Sequence, residues 1–298
     1  MNQKTLKKSY IFEGKGLHQG QFARMTLSPA APDSGIRFFR TDLGIEIPAV
    51  AENVSSTVRC TTIASGAASV STIEHLMSAM TGLGVDNVRV EIDNVEVPIL
   101  DGSARPYVEA IQPDGLQEQD APRHYIEVKE EIEIRNEHGS YVRISPADAF
   151  SFELTSDFGS RVLGVQTATW NADTDYASAL APCRTFCFFH ELEYLAGHGL
   201  IKGGDVDNAI VVVEHPVTEE QIASLSHVFG IQDIQVTENG YLNNLALHFP
   251  NECGRHKLLD LIGDLRLCGG FLRARVVAYK AGHAINTSAA RALRESIQ

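Results

Sequence analysis

The segment from Arg255 to Leu265 carries the side chains with the clearest chemical potential in the chain. His256, Asp260 and Asp264 recur every four residues, so a helix would present them along one edge while leucines supply its apolar side. A histidine and a carboxylate one turn apart can bind a zinc ion from the same side of a helix. These residues alone are equally consistent with a solvated polar face on an ordinary packed helix. The rest of the chain must decide between the two interpretations.

A second helix is predicted to begin near Ser71 and to stop at Gly82 or Gly84. Ser71 followed three residues later by Glu74 matches a capping box, which gives Glu74 a purely structural explanation. The alternative is chemical, because a glutamate beside His75 in the first turn of a helix could supply a base and a ligand to the same metal. Both interpretations of Glu74 remain open at this point.

Two further histidines are candidates for a site. His283 lies on a glycine turn just past a predicted strand, Arg273 to Tyr279, and such a position can reach into a cleft. The last helix is predicted to follow from about Ser288 as a surface cap. His18 lies in a glycine-rich segment that lacks the spacing of a phosphate-binding loop, so it is the weaker candidate.

A catalytic zinc ion binds three protein ligands and keeps one position for water. The residues that best fit this requirement come from both halves of the chain: His75, His256 and Asp260. Glu74 could then act as the general base and His283 as the general acid for a leaving group. Asp264, one turn beyond the metal-binding carboxylate, could hold the imidazole of His283 in its protonated form. The spacing permits this arrangement and predicts a metal between two domains.

The composition is that of a soluble globular protein. Of 298 residues, 44% are hydrophobic and 21% are charged, and the formal net charge is −13. This charge argues against broad binding to nucleic acid or to an anionic membrane, since both reward clustered lysine and arginine. The longest uninterrupted apolar run, Ala209 to Val213, is far too short to span a bilayer, so stable membrane insertion is not expected.

The amino terminus and the cysteines indicate the compartment. Met1 to Ser9 contains lysines but no long apolar stretch follows it, so a secretory signal peptide is not predicted. The 5 cysteines are odd in number, scattered and without a C-x-x-C pair, which disfavours both a disulfide framework and a thiolate zinc cluster. A reducing cytoplasm is the expected location.

The order of predicted elements favours an α+β fold. Both halves open with antiparallel strands and carry a helix later, which suggests two similar units, although no repeat is visible at the level of residues. Residues 112 to 122 are rich in Pro, Gly, Gln and Asp and poor in apolar side chains. We therefore predict a linker there and two domains, 1–117 and 118–298.

An ordered set of motifs adds a family resemblance. The motifs are Ser71-Thr72-Ile73-Glu74-His75-Leu76, Asp101-Gly102-Ser103-Ala104, Arg184-Thr185-Phe186, His256-Lys257-x-x-Asp260-x-x-x-Asp264 and Lys280-x-Gly282-His283-Ala284. Together they resemble the UDP-3-O-acyl-N-acetylglucosamine deacetylases of lipid A biosynthesis, over about residues 4 to 291. Each motif alone is weak, but the ordered set is highly specific.

The resemblance implies a cytoplasmic zinc-dependent hydrolase that removes acetate from UDP-3-O-(3-hydroxyacyl)-N-acetylglucosamine. It implies zinc ligands, a base, an acid and an acid-orienting aspartate at the positions already selected from the sequence. It also implies an oxyanion-stabilising role for Thr185, a contact between Lys257 and the substrate diphosphate, and a substrate-contacting role for Phe186. His18 aligns with a polar residue near the active site.

The resemblance further implies two α+β domains, each a sheet layered on helices, with the active site between them and an insertion in each. The second insertion would form an acyl passage at about residues 188–213. Residues 214 to 240 are longer than the matching connection in many relatives, and we assign the excess no role. We expect a monomer that binds the UDP-linked substrate and no nucleic acid.

Other functions remain open at this point. The chain could be a stand-alone enzyme or the deacetylase half of a bifunctional deacetylase and 3-hydroxyacyl-carrier-protein dehydratase. The same residues could serve a zinc hydrolase of another amide or ester, or a non-enzymatic module that binds a lipid or a nucleotide sugar.

Overall fold

A computed structural model describes residues 1–192, 207–229 and 232–297. The strands are β1 (Asn2–Leu6), β2 (Tyr10–Lys15), β3 (Phe22–Pro29), β4 (Ile36–Arg40), β5 (Ile45–Pro48), β6 (Val54–Ser56), β7 (Thr62–Ser65), β8 (Ala68–Val70), β9 (Val88–Ile92), β10 (Leu116–Pro122), β11 (Tyr125–Glu127), β12 (Ile132–Arg135), β13 (Tyr141–Pro146), β14 (Ser151–Asp157), β15 (Val165–Asn171), β16 (Phe186–Phe188), β17 (Ile210–Val212) and β18 (Phe271–Tyr279). The α-helices are α1 (Glu74–Leu83), α2 (Arg105–Ile111), α3 (Tyr176–Ala179), α4 (Glu219–Phe229), α5 (Glu252–Leu265) and α6 (His283–Ser296). Short 3-10 helices span Ala51–Asn53 and Arg266–Cys268.

Two sheets share one strand order and one pattern of strand directions. Their strand orders are β2-β3-β9-β4-β5 and β12-β13-β18-β14-β15, and β11 pairs separately with the start of β18. Counted in chain order, the five strands of each sheet pair in the same way. The first pairs antiparallel with the second, and the second pairs antiparallel with the last. The last runs parallel to the third, and the third pairs antiparallel with the fourth. The fold therefore consists of two similar α+β units, as the order of elements predicted.

The two units also place their helices at matching points in the chain. Helix α1 precedes β9, the last strand of the first sheet, and α5 precedes β18, the last strand of the second. Each unit carries extra elements before that helix, namely the small sheet β6-β7-β8 in the first and the pair β16-β17 with α4 in the second. An insertion in each unit was predicted; the range given for the second, about residues 188–213, starts at the end of β16 and includes β17, whereas α4 lies in the segment 214–240, to which no role was assigned. Residues 193–206 of the predicted acyl passage lie outside the described residues.

The core is formed by alternation in the strands and by a helix pair between the units. In β18, Leu272, Ala274, Val276 and Ala278 are buried at every second position, as expected for a strand with one face on the core. Helix α5 is buried on almost every side because it packs against α1, the second sheet and α6. Side chains of α1 and α5 belong to one continuous hydrophobic cluster that spans both units. No helix among the described residues is long and apolar enough to cross a membrane.

Gly263 allows α5 to pack closely against α1. A Cβ atom at this position would lie 2.0 Å from the carbonyl oxygen of Glu74 and 3.1 Å from the backbone nitrogen of Ser78. Both neighbours are backbone atoms of a helix, so neither can rotate away. The absence of a side chain at Gly263 therefore sets the distance between the two helices that carry the candidate metal ligands.

Gly263→Ala should consequently destabilise the fold, although alanine is the better helix former. We expect a loss of about 1–3 kcal/mol in the free energy of unfolding, typical of an overpacked core. Denaturant unfolding measures it. Gly282→Ala is the matched control, because a Cβ there would meet no heavy atom within 4 Å. Equal unfolding midpoints for the two variants would contradict this account of the helix contact.

Three local predictions were wrong. Ser71 does not cap α1: its hydroxyl donates to Val95 O, and Glu74 accepts a hydrogen bond from the backbone of Thr61 instead. The segment predicted as a linker contains β10, which pairs antiparallel with β1 and is polar because it is largely exposed. The last helix begins at His283 instead of Ser288, and it buries apolar residues against the core.

Candidate active site

Three candidate ligands meet where α1 and α5 pack together. His75 comes from the first turn of α1, and His256 and Asp260 lie one turn apart on α5. Oδ1 of Asp260 is 3.6 Å from Nε2 of His75 and 3.4 Å from Nε2 of His256, and the two imidazole rings lie edge to face. The ligand atoms lie within 4.8 Å of one another, and all three residues are buried. Tetrahedral zinc with bonds of about 2.0–2.1 Å requires spacings of about 3.3 Å, and the two distances to Oδ1 of Asp260 are close to this value.

The protonation of this group also suits a cation. Burial lowers the pKa of His75 to about 3, with His256 as a second cause, and burial likewise lowers the pKa of His256. Burial would raise the pKa of Asp260, but His256 and Lys257 outweigh it and lower this pKa. Two neutral imidazoles and one carboxylate are therefore available at neutral pH, as metal binding requires. Oδ1 of Asp260 is buried and accepts no hydrogen bond from any residue that the structure describes.

Neighbouring groups orient two of these ligands. Nδ1 of His256 lies 3.1 Å from the carbonyl oxygen of Cys183 and must donate to it, which leaves Nε2 as the basic nitrogen facing Asp260. The ammonium of Lys257 lies 2.5 Å from Oδ2 of Asp260, so the other carboxylate oxygen, Oδ1, faces the imidazoles. Burial lowers the pKa of Lys257, but Asp260 outweighs it and raises this pKa, which keeps the lysine charged.

Glu74 is buried beside the ligand group. Its Oε2 accepts a hydrogen bond from the backbone of Thr61 at 3.1 Å, and its Oε1 lies 3.8 Å from Nε2 of His283. Burial raises the pKa of Glu74 to about 7, since His283 only partly offsets the loss of hydration. A carboxyl group with a pKa near neutrality is suited to accept and return a proton. The described hydrogen bonds do not include the predicted capping box with Ser71, and the role of Glu74 as a base stays a prediction.

His283, which is partly exposed, forms an ion pair with the buried carboxylate of Asp264 next to Glu74. Nδ1 of His283 donates to Oδ2 of Asp264 at 2.9 Å, so Nε2 points toward Oε1 of Glu74. Burial lowers the pKa of His283, but the carboxylates of Asp264 and Glu74 outweigh it and raise this pKa to about 9. The imidazole is therefore protonated at neutral pH and can donate a proton from Nε2.

The motif residues around Thr185 hold one another in place. The backbone of Thr185 donates to the carbonyl oxygen of Gly102 at 2.8 Å, and a Cβ at Gly102 would lie 1.9 Å from Asn208 O. The guanidinium of Arg184 is buried and bonded to both carboxylate oxygens of Glu252, the first residue of α5. These contacts attach the Thr185 segment to the helix that carries His256.

Aromatic side chains line the approach from β16. Phe186 packs its edge toward the His256 ring, with centroids 6.4 Å apart. Phe158 contacts both Phe186 and Phe188 edge to face and is itself 46% exposed. A partly exposed aromatic cluster thus leads from the surface toward the ligand group.

His18 lies in the loop after β2. Its backbone and that of Gln19 donate to the buried carboxylate of Glu96, which also accepts from the hydroxyl of Thr72. Burial lowers the pKa of His18, and the charge of His283 contributes in the same direction. The loop thus brings His18 into the electrostatic neighbourhood of His283.

Three contributors were missed in the sequence analysis. Thr61 bonds both Glu74 and Asp264, Asn286 donates to Oδ2 of Asp264 at 2.9 Å, and the carbonyl of Cys183 orients His256. Asn286 could have been found from its spacing, one turn after His283, if the last helix had been predicted to begin at that histidine. The other two carry no local signal in the sequence.

Comparison with known proteins gives a consistent result. The family model described as UDP-3-O-acyl N-acetylglycosamine deacetylase matches residues 3–227 and 231–295. A UDP-3-O-acyl-N-acetylglucosamine deacetylase of Anaeromyxobacter sp. is 40% identical over 97% of this chain and 88% of its own length. The deacetylase of Cellvibrio japonicus is 40% identical over 99% of this chain and 91% of its own length.

Longer relatives match as well. A protein of Porphyromonas gingivalis named bifunctional enzyme LpxC/FabZ is 44% identical over 99% of this chain. The match covers 65% of that protein, and similar shares of the bifunctional relatives of Bacteroides thetaiotaomicron and Chlorobaculum tepidum. The chain therefore spans about 65% of the length of these relatives.

Proposed function

Because this chain belongs to the UDP-3-O-acyl-N-acetylglycosamine deacetylase family, we propose that it hydrolyses the N-acetyl group of UDP-3-O-(3-hydroxyacyl)-N-acetylglucosamine and releases acetate. The reaction would supply a free amine for lipid A biosynthesis. The observation that carries the proposal is the buried group of two neutral imidazoles and one carboxylate, with a carboxyl group and a protonated imidazole beside it. This set contains what amide hydrolysis needs: a cation site, a base and an acid.

We propose zinc as the metal and His75, His256 and Asp260 as its ligands. The nitrogen and oxygen donors, their spacing and the unsatisfied Oδ1 of Asp260 support this choice. When bound, the ion supplies Lewis-acid chemistry, which lowers the pKa of water and polarises a carbonyl group. Cys183 and Lys257 hold two of the ligands in the orientation that binding needs.

Glu74 and His283 divide the proton transfers between them. Glu74 takes the proton from the attacking water, for which its raised pKa near neutrality is suited. His283 delivers a proton from Nε2 to the amine that departs, while Asp264 holds its ring through Nδ1. Because Oε1 of Glu74 lies only 3.8 Å from Nε2 of His283, both groups could act on one bound substrate. Thr185 would donate its hydroxyl to the oxyanion, since its segment is tied to α5 beside His256.

The remaining substrate contacts are proposed from charge and polarity. Lys257 would meet the nucleotide diphosphate as a local cation on an acidic protein. Phe186 and the cluster around it would contact the acyl chain at the start of the proposed acyl passage, residues 188–213. His18 would provide a polar group near the active site, where it interacts electrostatically with His283. We also propose a cytoplasmic monomer whose two domains divide at residue 117.

Acetate release from the acylated UDP-sugar by zinc-loaded protein tests the function. We expect stoichiometric zinc and turnover of this substrate, with little turnover of UDP-N-acetylglucosamine, which lacks the acyl chain. Stoichiometric zinc without acetate release would instead favour a hydrolase of another amide or ester. Substrate binding without zinc or turnover would indicate a non-enzymatic module.

Asp264→Asn should move the basic limit of the activity. His283 must be protonated to act as an acid, so the rate should fall as the pH rises through its pKa of about 9. The titratable groups that interact with it are Asp264, Asp260 and His256 from α5, Glu74 and His75 from α1, and His18 from the loop after β2. Removing the charge of Asp264 lowers the pKa of His283, so the rate should begin to fall at a lower pH. The pH profile of kcat/KM measures the shift.

A matched variant controls for a general loss of negative charge. Asp157→Asn removes a carboxylate that pairs with Lys280, near the end of β18. We expect its basic limit to stay where the unmodified protein has it. If Asp264→Asn also left that limit in place, His283 would not be the acid that sets it.

A further inference from the structure

Thr61 is fully buried at a junction between the two units. It lies between β6 and β7, in the insertion of the first unit, and has no exposed surface. Its backbone N–H donates to Oε2 of Glu74 at 3.1 Å, and its carbonyl oxygen lies 3.5 Å from the backbone nitrogen of Ile73, at the start of α1. Its backbone is thus bound to the first turn of the helix that carries Glu74.

The side chain of Thr61 reaches the other unit. Its hydroxyl donates to Oδ1 of Asp264 on α5 at 2.6 Å. The second oxygen, Oδ2, accepts from His283 and from Asn286, each at 2.9 Å. Three donors therefore satisfy a carboxylate that has no exposed surface, and each oxygen has a separate task. Oδ1 is fixed by Thr61, so Oδ2 points toward the imidazole of His283.

These contacts place one residue between the proposed base and the proposed acid. Glu74 and the Asp264–His283 pair come from different helices, and Nε2 of His283 lies 3.8 Å from Oε1 of Glu74. In each carboxylate, Thr61 bonds the oxygen that does not face His283, namely Oε2 of Glu74 and Oδ1 of Asp264. Proton transfers depend steeply on such geometry, since misplacement by about 1 Å can cost about 100-fold in rate. A fully buried residue cannot touch the substrate, so any effect of Thr61 must pass through these partners.

We propose that Thr61 is a positioning residue that sets the relative placement of the base Glu74 and the Asp264–His283 pair. The inference rests on the proposed function, because the roles of base and acid come from it. A purely structural residue would affect activity only through folding, whereas the hydroxyl of Thr61 acts on catalysis by positioning Asp264. Its loss should therefore reduce kcat much more than it changes KM or metal content.

Thr61→Val tests this directly, because valine keeps the shape and removes only the hydroxyl. In the zinc-loaded protein we expect kcat to fall about 10- to 100-fold, the equivalent of one hydrogen bond to a charged group. KM and the zinc content should stay within about twofold. Thr61→Ser restores the hydroxyl and should recover most of kcat. Thr62→Val, the same change at the next residue, is the matched control and should keep normal kcat.

A double-mutant cycle separates positioning from general destabilisation. In an Asp264→Asn background, Thr61→Val should have little further effect on kcat, since its target is already altered. Full additivity of the two changes would overturn the proposal, as would a loss of kcat that Thr61→Ser fails to rescue. A fall in kcat that merely tracks a lower folded fraction, measured by denaturant unfolding, would also overturn it.

One readout does not depend on turnover. The proton on Nδ1 of His283 can be observed by NMR in the zinc-loaded protein, because its hydrogen bond to Asp264 protects it from exchange. Thr61→Val should shift or broaden this signal, and Thr61→Ser should preserve it. If the unmodified protein released no acetate while the signal still responded in this way, the proposed function would fail and the positioning by Thr61 would stand. An unchanged signal in Thr61→Val would refute the positioning even if the enzyme were active.

Discussion

Glu74→Gln should leave a folded, metal-binding protein that has lost most of its activity. Glutamine has nearly the same shape, and its amide oxygen can still accept the hydrogen bond from the backbone of Thr61. It cannot take a proton from water, and a positioned general base is worth about 10²- to 10⁴-fold in rate. We therefore expect kcat for acetate release to fall within that range, with KM nearly unchanged. Steady-state kinetics at saturating zinc measures both values.

Stability measurements separate the two interpretations of Glu74. Burial of the carboxyl group is the main cause of its raised pKa; the charges of Asp264 and Asp260 act in the same direction, and His283 only partly offsets them. Replacing it with a neutral amide should not lower the free energy of unfolding appreciably at neutral pH. Glu109→Gln, on the exposed surface of α2, is the control and should retain full activity. Near-normal turnover by Glu74→Gln would refute the base assignment.

Much of the fold could be predicted from periodicity, but the contacts between distant segments could not. The spacing of four residues on α5 correctly predicted one edge with His256, Asp260 and Asp264, because a helix repeats at nearly that interval. Gly263 was visible in the same helix, yet its function depends on the backbone of α1, more than 180 positions earlier. The composition of residues 112–122 suggested a linker because an exposed two-stranded ribbon is as polar as a loop. Local sequence does not distinguish the two.

In the candidate site, too, contacts between residues that are distant in the chain could not be predicted from the sequence. His75 and Glu74 were candidates because their types carry chemistry, and the structure brings both close to the candidate residues of α5. Thr61 was not a candidate, because a threonine before a short strand has many ordinary uses. Its partners lie 13 and 203 positions away, so only the packed structure brings them together. Residues that orient catalytic groups are found from their contacts, whereas residues that react can be suspected from their type.

His256→Ala should lose both the metal and the activity while the fold survives. The variant removes one of the three proposed ligands. Loss of a residue that only orients a ligand typically costs about 10- to 100-fold in metal affinity, so zinc affinity should fall by more than that. The carbonyl of Cys183 would also lose its donor, which should lower the free energy of unfolding by about 1–3 kcal/mol. The large core around α5 can absorb that loss and still unfold cooperatively. Zinc content after dialysis, acetate release and circular dichroism together measure these effects.

Two further variants and a chelation experiment distinguish a catalytic metal site from a structural one. His138→Ala removes a histidine that lies exposed on the turn between β12 and β13, and it should keep both zinc and activity. Asp260→Asn replaces a ligand with a side chain of the same shape, so it should lose zinc with little packing cost. A catalytic site is built on an already folded scaffold, so chelation should leave the unmodified protein folded and inactive. Global unfolding on chelation would instead identify a structural metal, since the free energy of metal binding would then be part of the free energy of folding.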